Sequence, residues 1–238
     1  MIPKTIYQTW KTQNLPNKLE KLHSSMRKKN PDYKHIIYTD EQMDDYMHAN
    51  AEKEIYKIYL KLNHIVAKAD IWRYTILLNN GGIYLDIDSE ITGSLENLIS
   101  PSDKAIITAE KNKNLFVQWA LLFEKNHIIL ENTLNNIIRD IHNNKNQFNH
   151  HELTVANYAK AIFKVAEQSN QSLEWSAITP STDMTLSLVN SSVRIFGVDY
   201  NNYFSFKHKY NHLLRNRPKG KELQTHWSNQ KKEPIYSN

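Results

Sequence analysis

The sequence predicts an α/β protein, with one sheet domain and a helical insertion in its second half. Short apolar runs of strand length alternate with longer segments whose apolar residues recur every three or four positions. Glycine, proline and asparagine clusters separate these segments. Alternation of this kind is typical of a sheet covered by helices. No internal repeat or low-complexity linker divides the 238 residues, so a single domain over 1–238 is predicted.

The N-terminal part predicts two strands and three helices. Residues 5–10 form a short strand that ends in an aromatic residue, and Pro16 then opens an amphipathic helix. Residues 33–39 predict the second strand. Asp40 can cap the helix that follows it. An apolar stripe over 51–62 predicts another helix before the central segment.

The central segment is the most informative part of the sequence. Its apolar periodicity predicts a helix over 64–79, and Gly81 supplies the left-handed conformation in which helices commonly end. Residues 83–85 are an apolar run of the length of a buried strand. Asp86 and Asp88 follow that strand directly.

The second half predicts mainly helices. Apolar runs at both of its ends predict flanking strands, and the chain from about residue 205 onward is basic and irregular. The predicted elements are a strand at 105–109, helices at about 114–125, 128–143 and 151–168, and a strand at 193–198.

Composition limits the chemistry that the chain can perform. Cysteine is absent, which excludes disulfides, thiolate metal sites and cysteine nucleophiles. The net charge of +5 favours anionic partners such as nucleotides, but it is too small to indicate nucleic-acid binding, and no nucleic-acid partner is expected. Neither a secretory signal nor a 20-residue apolar span is recognisable, so we expect a cytoplasmic protein, whose basic tail allows peripheral contact with the inner face of the membrane.

The two aspartates after the predicted strand form a candidate metal site. Asp86 and Asp88 would point to opposite faces of an extended strand, so they converge only if the strand ends there. Ligands of open α/β sheets bind where strands end, and paired carboxylates suit Mn²⁺ or Mg²⁺. Asp70 and Arg73 share one face of the preceding helix and suit a ligand with hydroxyls and phosphates. In isolation, their spacing also fits a surface ion pair of little energetic value.

The central segment also resembles a known family. Similar runs occur in the DXD-containing sugar transferases of glycosyltransferase family 32, which include initiating α-1,6-mannosyltransferases, capsular polysaccharide transferases and clostridial glucosylating toxins. The resemblance covers roughly the first hundred residues. The matching runs are Ile2-Pro-Lys-Thr-Ile-Tyr-Gln-Thr-Trp10, Tyr38-Thr-Asp40 and Ala69-Asp-Ile-Trp-Arg-Tyr-Thr-Ile-Leu-Leu-Asn-Asn-Gly-Gly-Ile-Tyr-Leu-Asp-Ile-Asp88.

This resemblance implies a fold and an activity. The implied fold is the Rossmann-like GT-A fold, with residues 1–110 as the donor-binding half and residues 111–238 as the helical, acceptor-side half. The implied reaction is a metal-dependent, retaining transfer of a hexose from a UDP- or GDP-sugar to a glycan acceptor, which can be lipid-linked. A role in bacterial surface polysaccharide synthesis, in capsule or lipopolysaccharide, is the expectation for a small member of this family.

The resemblance further implies roles for residues of the first strand and the central helix. Trp10 would stack on the nucleobase, and Thr9 would line the same pocket. Tyr84 would lie near the nucleotide. Asp70 and Arg73 would hold the hydroxyls of the donor sugar.

The implied metal and diphosphate ligands come from both ends of the chain. Asp86 would contact the ribose and the metal shell, and Asp88 would bind Mn²⁺ or Mg²⁺ directly. His226 is the candidate third metal ligand, and Trp227 or Ser228 would touch the β-phosphate. The family's order differs here, because Trp227 directly follows His226.

Two alternatives remain open from the residues alone. A phosphatase of the haloacid dehalogenase type also uses two aspartates after an apolar strand, although its pair lies close to the N-terminus, whereas this pair lies at 86–88 and is followed by Glu90. An inactive transferase homologue could instead use the basic tail to bind an anionic glycan.

Overall fold

A mixed sheet of seven strands organises the molecule. The computed structural model describes residues 1–143 and 151–199, and the backbone of residues 204–205. The strands are β1 (Thr5–Thr9), β2 (Lys34–Tyr38), β3 (Gly82–Leu85), β4 (Glu90–Ile91), β5 (Ala105–Thr108), β6 (Ala120–Phe123), β7 (Asp183–Leu188), β8 (Ser191–Phe196) and β9 (Phe204–Ser205). The α-helices are α1 (Asn17–Lys29), α2 (Asp40–Asn50), α3 (Lys53–Leu60), α4 (Ile65–Asn80), α5 (Leu95–Leu98), α6 (Ile128–Asn143) and α7 (Ala156–Gln168).

The order of strands across the sheet is β2-β1-β3-β6-β5-β8-β7. The pairs β1–β2, β1–β3 and β5–β8 are parallel, and β3–β6, β5–β6 and β7–β8 are antiparallel. Strands β4 and β9 form a separate antiparallel pair. The large sheet therefore combines strands from both halves of the chain, and α6 and α7, which follow β6, are the helical insertion predicted for the second half.

Helices cover both faces of the sheet. Alternate residues of a strand point to opposite faces, and the two buried clusters follow that rule. Tyr7 and Tyr84 belong to the larger cluster, with residues of α2, α3, α4, α6 and α7. Ile6 and Ile83 belong to the smaller cluster, with Met26 of α1.

Two glycines let α4 pass directly into β3. Gly81 has a φ of 65° and Gly82 a φ of 111°, both in the region that favours glycine. A Cβ atom at Gly81 would lie 2.6 Å from the backbone nitrogen of Lys125, and one at Gly82 would lie 2.7 Å from the carbonyl oxygen of Thr5. These contacts show why the predicted helix end requires glycine, and they place β3 tightly against β1.

The helix predicted at about 114–125 is wrong. Residues Ala120–Phe123 form β6, which pairs with β3 on one side and β5 on the other. All four side chains are buried, because the strand lies in the middle of a sheet that is covered on both faces. A continuously apolar segment of this kind has no two-residue alternation, so its periodicity does not distinguish a strand from a helix.

The cap of α2 also differs from the prediction. Thr39 precedes the helix, and its hydroxyl oxygen accepts a hydrogen bond from the backbone N–H of Gln42 (3.2 Å). The side-chain oxygen of Gln42 in turn accepts one from the backbone N–H of Thr39 (3.0 Å). This reciprocal capping box satisfies two free N–H groups, so Asp40 is the first helical residue and not the cap.

The helices of the described residues bear on two further predictions, one about the membrane and one about the segment 151–168. No helix in them is both long and apolar enough to cross a membrane. The helix predicted over 151–168 begins with a π-helical turn, His151–Val155, and continues as α7.

Candidate active site

The candidate site lies where two parallel neighbours, β1 and β3, reach their carboxyl ends. Tyr7 pairs with Tyr84, and continuing this register brings Thr9 level with Asp86. Thr9 and Trp10 are half-buried, and the backbone N–H of Trp10 donates to the carbonyl oxygen of Tyr38 (3.0 Å). The predicted nucleotide-binding residues of β1 and the predicted metal ligands after β3 therefore meet at one edge of the sheet, as in other α/β proteins.

A tight turn follows β3 and contains both aspartates. The backbone N–H of Asp86 donates to the carbonyl oxygen of Trp119 (2.9 Å), and the N–H of Ser89 donates to the carbonyl oxygen of Asp86 (2.9 Å). The second bond closes a four-residue turn, in which strand alternation no longer applies. The strand thus ends at the aspartates, as their proposed role requires, and the side chains of Asp86 and Asp88 are both half-buried.

Asp70 and Arg73 form a buried ion pair, not the surface pair that their spacing alone allowed. Their residues are 2% and 5% exposed, and Nη2 of Arg73 lies 2.5 Å from Oδ1 of Asp70. The same nitrogen lies 3.6 Å from Oδ1 of Asp86. Nη1 of Arg73 donates to the carbonyl oxygen of Gln118 (2.7 Å). One guanidinium therefore connects the central helix, the aspartate turn and the segment before β6.

Tyr84 of β3 contacts both Arg73 and Asp86. Its ring lies 4.4 Å from the guanidinium carbon of Arg73, and its hydroxyl donates to Oδ1 of Asp86 (2.6 Å). Burial raises the pKa of Tyr84 well above its usual value, so the hydroxyl remains a donor. Burial on its own would lower the pKa of Arg73, but the attraction of the Asp70 and Asp86 carboxylates outweighs it and raises that pKa. The cation is therefore permanent.

Thr154, Tyr74 and Gln118 complete this network, and of these only Tyr74 lies within a sequence motif. The hydroxyl of Thr154 donates to Oδ2 of Asp70 (2.6 Å). Tyr74 donates through its hydroxyl to the side-chain oxygen of Gln118. Neither Thr154 nor Gln118 belongs to a recognisable motif, and they lie 84 and 45 residues from their partners Asp70 and Arg73. The only signal in the sequence is that Thr154 lies at the start of a predicted amphipathic helix. Threonine is common at that position, so the signal does not indicate a functional residue.

The donor set of the turn fits a hard divalent cation. Asp86 and Asp88 offer carboxylate oxygens, and Mn²⁺ or Mg²⁺ needs only one or two such ligands when water and phosphate complete its shell. Within residues 1–143 and 151–199, no group of three or more histidine, aspartate or glutamate side chains could hold a metal ion. The predicted ligands His226, Trp227 and Ser228 lie outside the described residues.

Comparison with known proteins finds a family whose model matches part of the chain. Residues 16–105 match the model of a family described as "Glycosyltransferase sugar-binding region containing DXD motif". The matched range contains Asp70, Arg73, Asp86 and Asp88, so the resemblance noted in the sequence is confirmed.

Several curated proteins share this region. The initiation-specific α-1,6-mannosyltransferase of Candida albicans is 34% identical over 119 residues, which are 47% of this chain and 30% of that protein. Inositol phosphoceramide mannosyltransferase 3 of Schizosaccharomyces pombe is 37% identical over 98 residues, 41% of this chain and 27% of that protein. An uncharacterised glycosyltransferase of Acanthamoeba polyphaga mimivirus is 32% identical over 121 residues, 50% of this chain and 47% of that protein. The chain spans less than half the length of each of these relatives.

A solved structure confirms the fold. The PaToxG glycosyltransferase superposes with a TM-score of 0.58 and 22% sequence identity, over 68% of this chain and 69% of that one. The α/β fold is therefore of the GT-A glycosyltransferase type, as the sequence predicted. Neither the family match nor this fold favours the phosphatase alternative.

Proposed function

We propose that this protein is a metal-dependent glycosyltransferase that moves mannose or glucose from a UDP- or GDP-sugar to a glycan acceptor, with retention of configuration at the anomeric carbon. One observation carries the proposal. The Asp86–Ser89 turn at the carboxyl ends of β1 and β3 presents two carboxylates, and buried Arg73 and Tyr84 hold the first of them in place. The family match and the GT-A fold support it.

The chemistry follows from the leaving group. Breaking the bond between the anomeric carbon and the phosphate releases a nucleoside diphosphate, whose β-phosphate gains negative charge. A divalent cation, when bound, neutralises that charge. Asp88 would hold the cation, and Asp86 would contact the ribose and the metal shell. Because Arg73 and Tyr84 fix Asp86 before substrate arrives, the carboxylate needs no reorganisation during the reaction.

The donor pocket is proposed to use both strand ends. Thr9 and Trp10 would bind the nucleobase, since they lie level with the turn. Tyr84 would lie near the nucleotide. Asp70 and Arg73 remain the proposed contacts for the sugar hydroxyls. Their deep burial also gives them a second role, because they anchor the aspartate turn from within.

Several finer features stay proposals. His226 is proposed to complete the metal site, and Trp227 or Ser228 to contact the β-phosphate. The acceptor is proposed to be a glycan that can be lipid-linked, and one of the relatives above is named an inositol phosphoceramide mannosyltransferase. Bacterial surface polysaccharide synthesis and a cytoplasmic location, with peripheral contact to the inner membrane face, stay predictions from the sequence.

A donor-hydrolysis screen tests the function. Wild-type protein and Asp88→Ala are incubated with UDP- and GDP-linked mannose and glucose, with and without Mn²⁺. We expect one donor to be cleaved in a Mn²⁺-dependent way, and the substitution to slow cleavage roughly a hundredfold or more, because charge stabilisation by a metal is worth several kcal/mol. The exposed Asp32→Ala serves as a matched control and should keep wild-type activity.

The outcomes separate the proposal from both alternatives. If wild-type protein neither binds nor cleaves a donor, and metal makes no difference, the proposed function is wrong. Salt-sensitive binding of an anionic glycan without turnover would support an inactive homologue. An acyl-phosphate on Asp86 would support the phosphatase.

A further inference from the structure

Thr154 joins the second half of the chain to the aspartates of the candidate site. It lies in the π-helical turn His151–Val155 that precedes α7, and its hydroxyl donates to Oδ2 of Asp70 at 2.6 Å. Thr154 is 0% exposed and Asp70 is 2% exposed. π-Helical turns are rare and occur frequently at functional sites. The bond therefore links two buried groups that are distant in sequence.

This bond is the first in a continuous chain of contacts that ends at the turn. Thr154 binds one carboxylate oxygen of Asp70, and Arg73 binds the other at 2.5 Å. Arg73 then lies 3.6 Å from Oδ1 of Asp86. A carboxylate with a partner on each oxygen has little freedom to rotate, so Thr154 restricts the orientation of Asp70. Asp70 in turn restricts the guanidinium that faces Asp86.

Two other buried threonines, Thr75 and Thr133, use their hydroxyls differently. The hydroxyl of Thr75 donates to the carbonyl oxygen of Ile71 (2.8 Å), and that of Thr133 donates to the carbonyl oxygen of Ile129 (2.7 Å). Both bonds stay within one helix and only satisfy the hydroxyl. Thr154 instead reaches a charged side chain of another helix, and hydrogen bonds to charged groups are about twice as strong as neutral ones.

We propose that Thr154 is a positioning residue for glycosyl transfer, which orients Asp70 and, through Arg73, Asp86. This inference rests on the proposed function. Because Thr154 reaches the turn through Asp70 and Arg73, its loss should slow the chemical step and leave nucleotide binding largely intact. It should also be repaired by any side chain that restores the hydroxyl at the same place.

The test compares Thr154→Val, which has nearly the same shape but no hydroxyl, with Thr154→Ser, which keeps the hydroxyl. For the cleaved donor, kcat of T154V should fall roughly ten- to a hundredfold, the range expected for a lost hydrogen bond to a charged group. Its KM and its Mn²⁺-dependent affinity for the nucleoside diphosphate should change less than about threefold. T154S should recover most of the wild-type kcat. Thr133→Val, an equally buried change in the same half, is the control and should keep the wild-type kcat.

Each other outcome overturns the inference. Wild-type kcat in T154V would show that the hydroxyl does not position the site. A T154S variant as slow as T154V, or a T133V variant as slow, would indicate a general packing effect. Should T154V fail to fold, Thr154→Ala replaces it, with the same expected loss of kcat. Absence of turnover in wild-type protein refutes the proposed function and this inference with it, whereas an active wild type with an unaffected T154V refutes the inference alone.

Discussion

Removal of Arg73 should expose how strongly the buried charges of the site depend on one another. Arg73→Met keeps most of the side-chain length but removes the cation that contacts both Asp70 and Asp86. Breaking a buried ion pair by removing one partner costs about 3–5 kcal/mol, because the remaining charge stays desolvated. That is a large part of the roughly 5–15 kcal/mol by which a domain is stable. Because the contact is only 2.5 Å long and Asp70 is 2% exposed, we expect a loss near the upper end of the range of about 3–5 kcal/mol.

A double-mutant cycle measures the coupling. Asp70→Asn removes the other charge of the pair, so the double variant D70N/R73M no longer contains the unpaired Asp70 carboxylate. Its loss of stability should be smaller than the sum of the single losses by about 2 kcal/mol or more. Urea unfolding followed by tryptophan fluorescence gives the four free energies of unfolding.

A matched surface pair provides the control. Glu54 and Lys57 have the same three-residue spacing on α3, and their side chains are 32% and 57% exposed. The cycle of Glu54→Gln and Lys57→Met should show almost no coupling, because water screens exposed pairs. Additive losses in the Asp70–Arg73 cycle, within about 0.5 kcal/mol, would contradict the role of Arg73 as the common counter-ion.

Two further predictions concern stability alone. Burial lowers the pKa of His127 to about 4, whereas its pKa in the unfolded chain is near 6.5. Between these two pH values the unfolded chain binds a proton that the folded chain does not. The free energy of unfolding therefore falls by up to about 3 kcal/mol as the pH drops from 6.5 to 4. His127→Asn, which keeps an acceptor for the N–H of Ile129, should show a flatter decline in melting temperature over this range, and an unchanged decline would contradict the assignment. Gly82→Ala should lower the free energy of unfolding by about 2 kcal/mol or more, because φ is positive and a Cβ atom would lie 2.7 Å from the carbonyl oxygen of Thr5. A melting temperature equal to that of the wild type would contradict this prediction.

The donor-side elements were predictable because their signals are local. The apolar periodicity of α4, the glycines after it and the apolar run of β3 follow one another without interruption, and each depends on neighbouring residues only. The aspartates could be placed at the strand end for the same reason. By contrast, β6 was mistaken for part of a helix, since its burial on both faces comes from strands and helices that are distant in sequence.

The sequence by itself determined that this is an α/β protein with an Asp-x-Asp pair at the end of a buried strand, and that residues 16–105 match the model of a family with a DXD motif. Only the tertiary structure decided what surrounds that pair. The spacing of Asp70 and Arg73 allowed either a surface ion pair or a ligand site. In the structure, these two residues of α4 are buried against the aspartate turn and the segment before β6. Thr154 was equally unforeseen. Its partner lies 84 residues away, and a hydrogen bond between such distant residues arises only when packing brings their helices together.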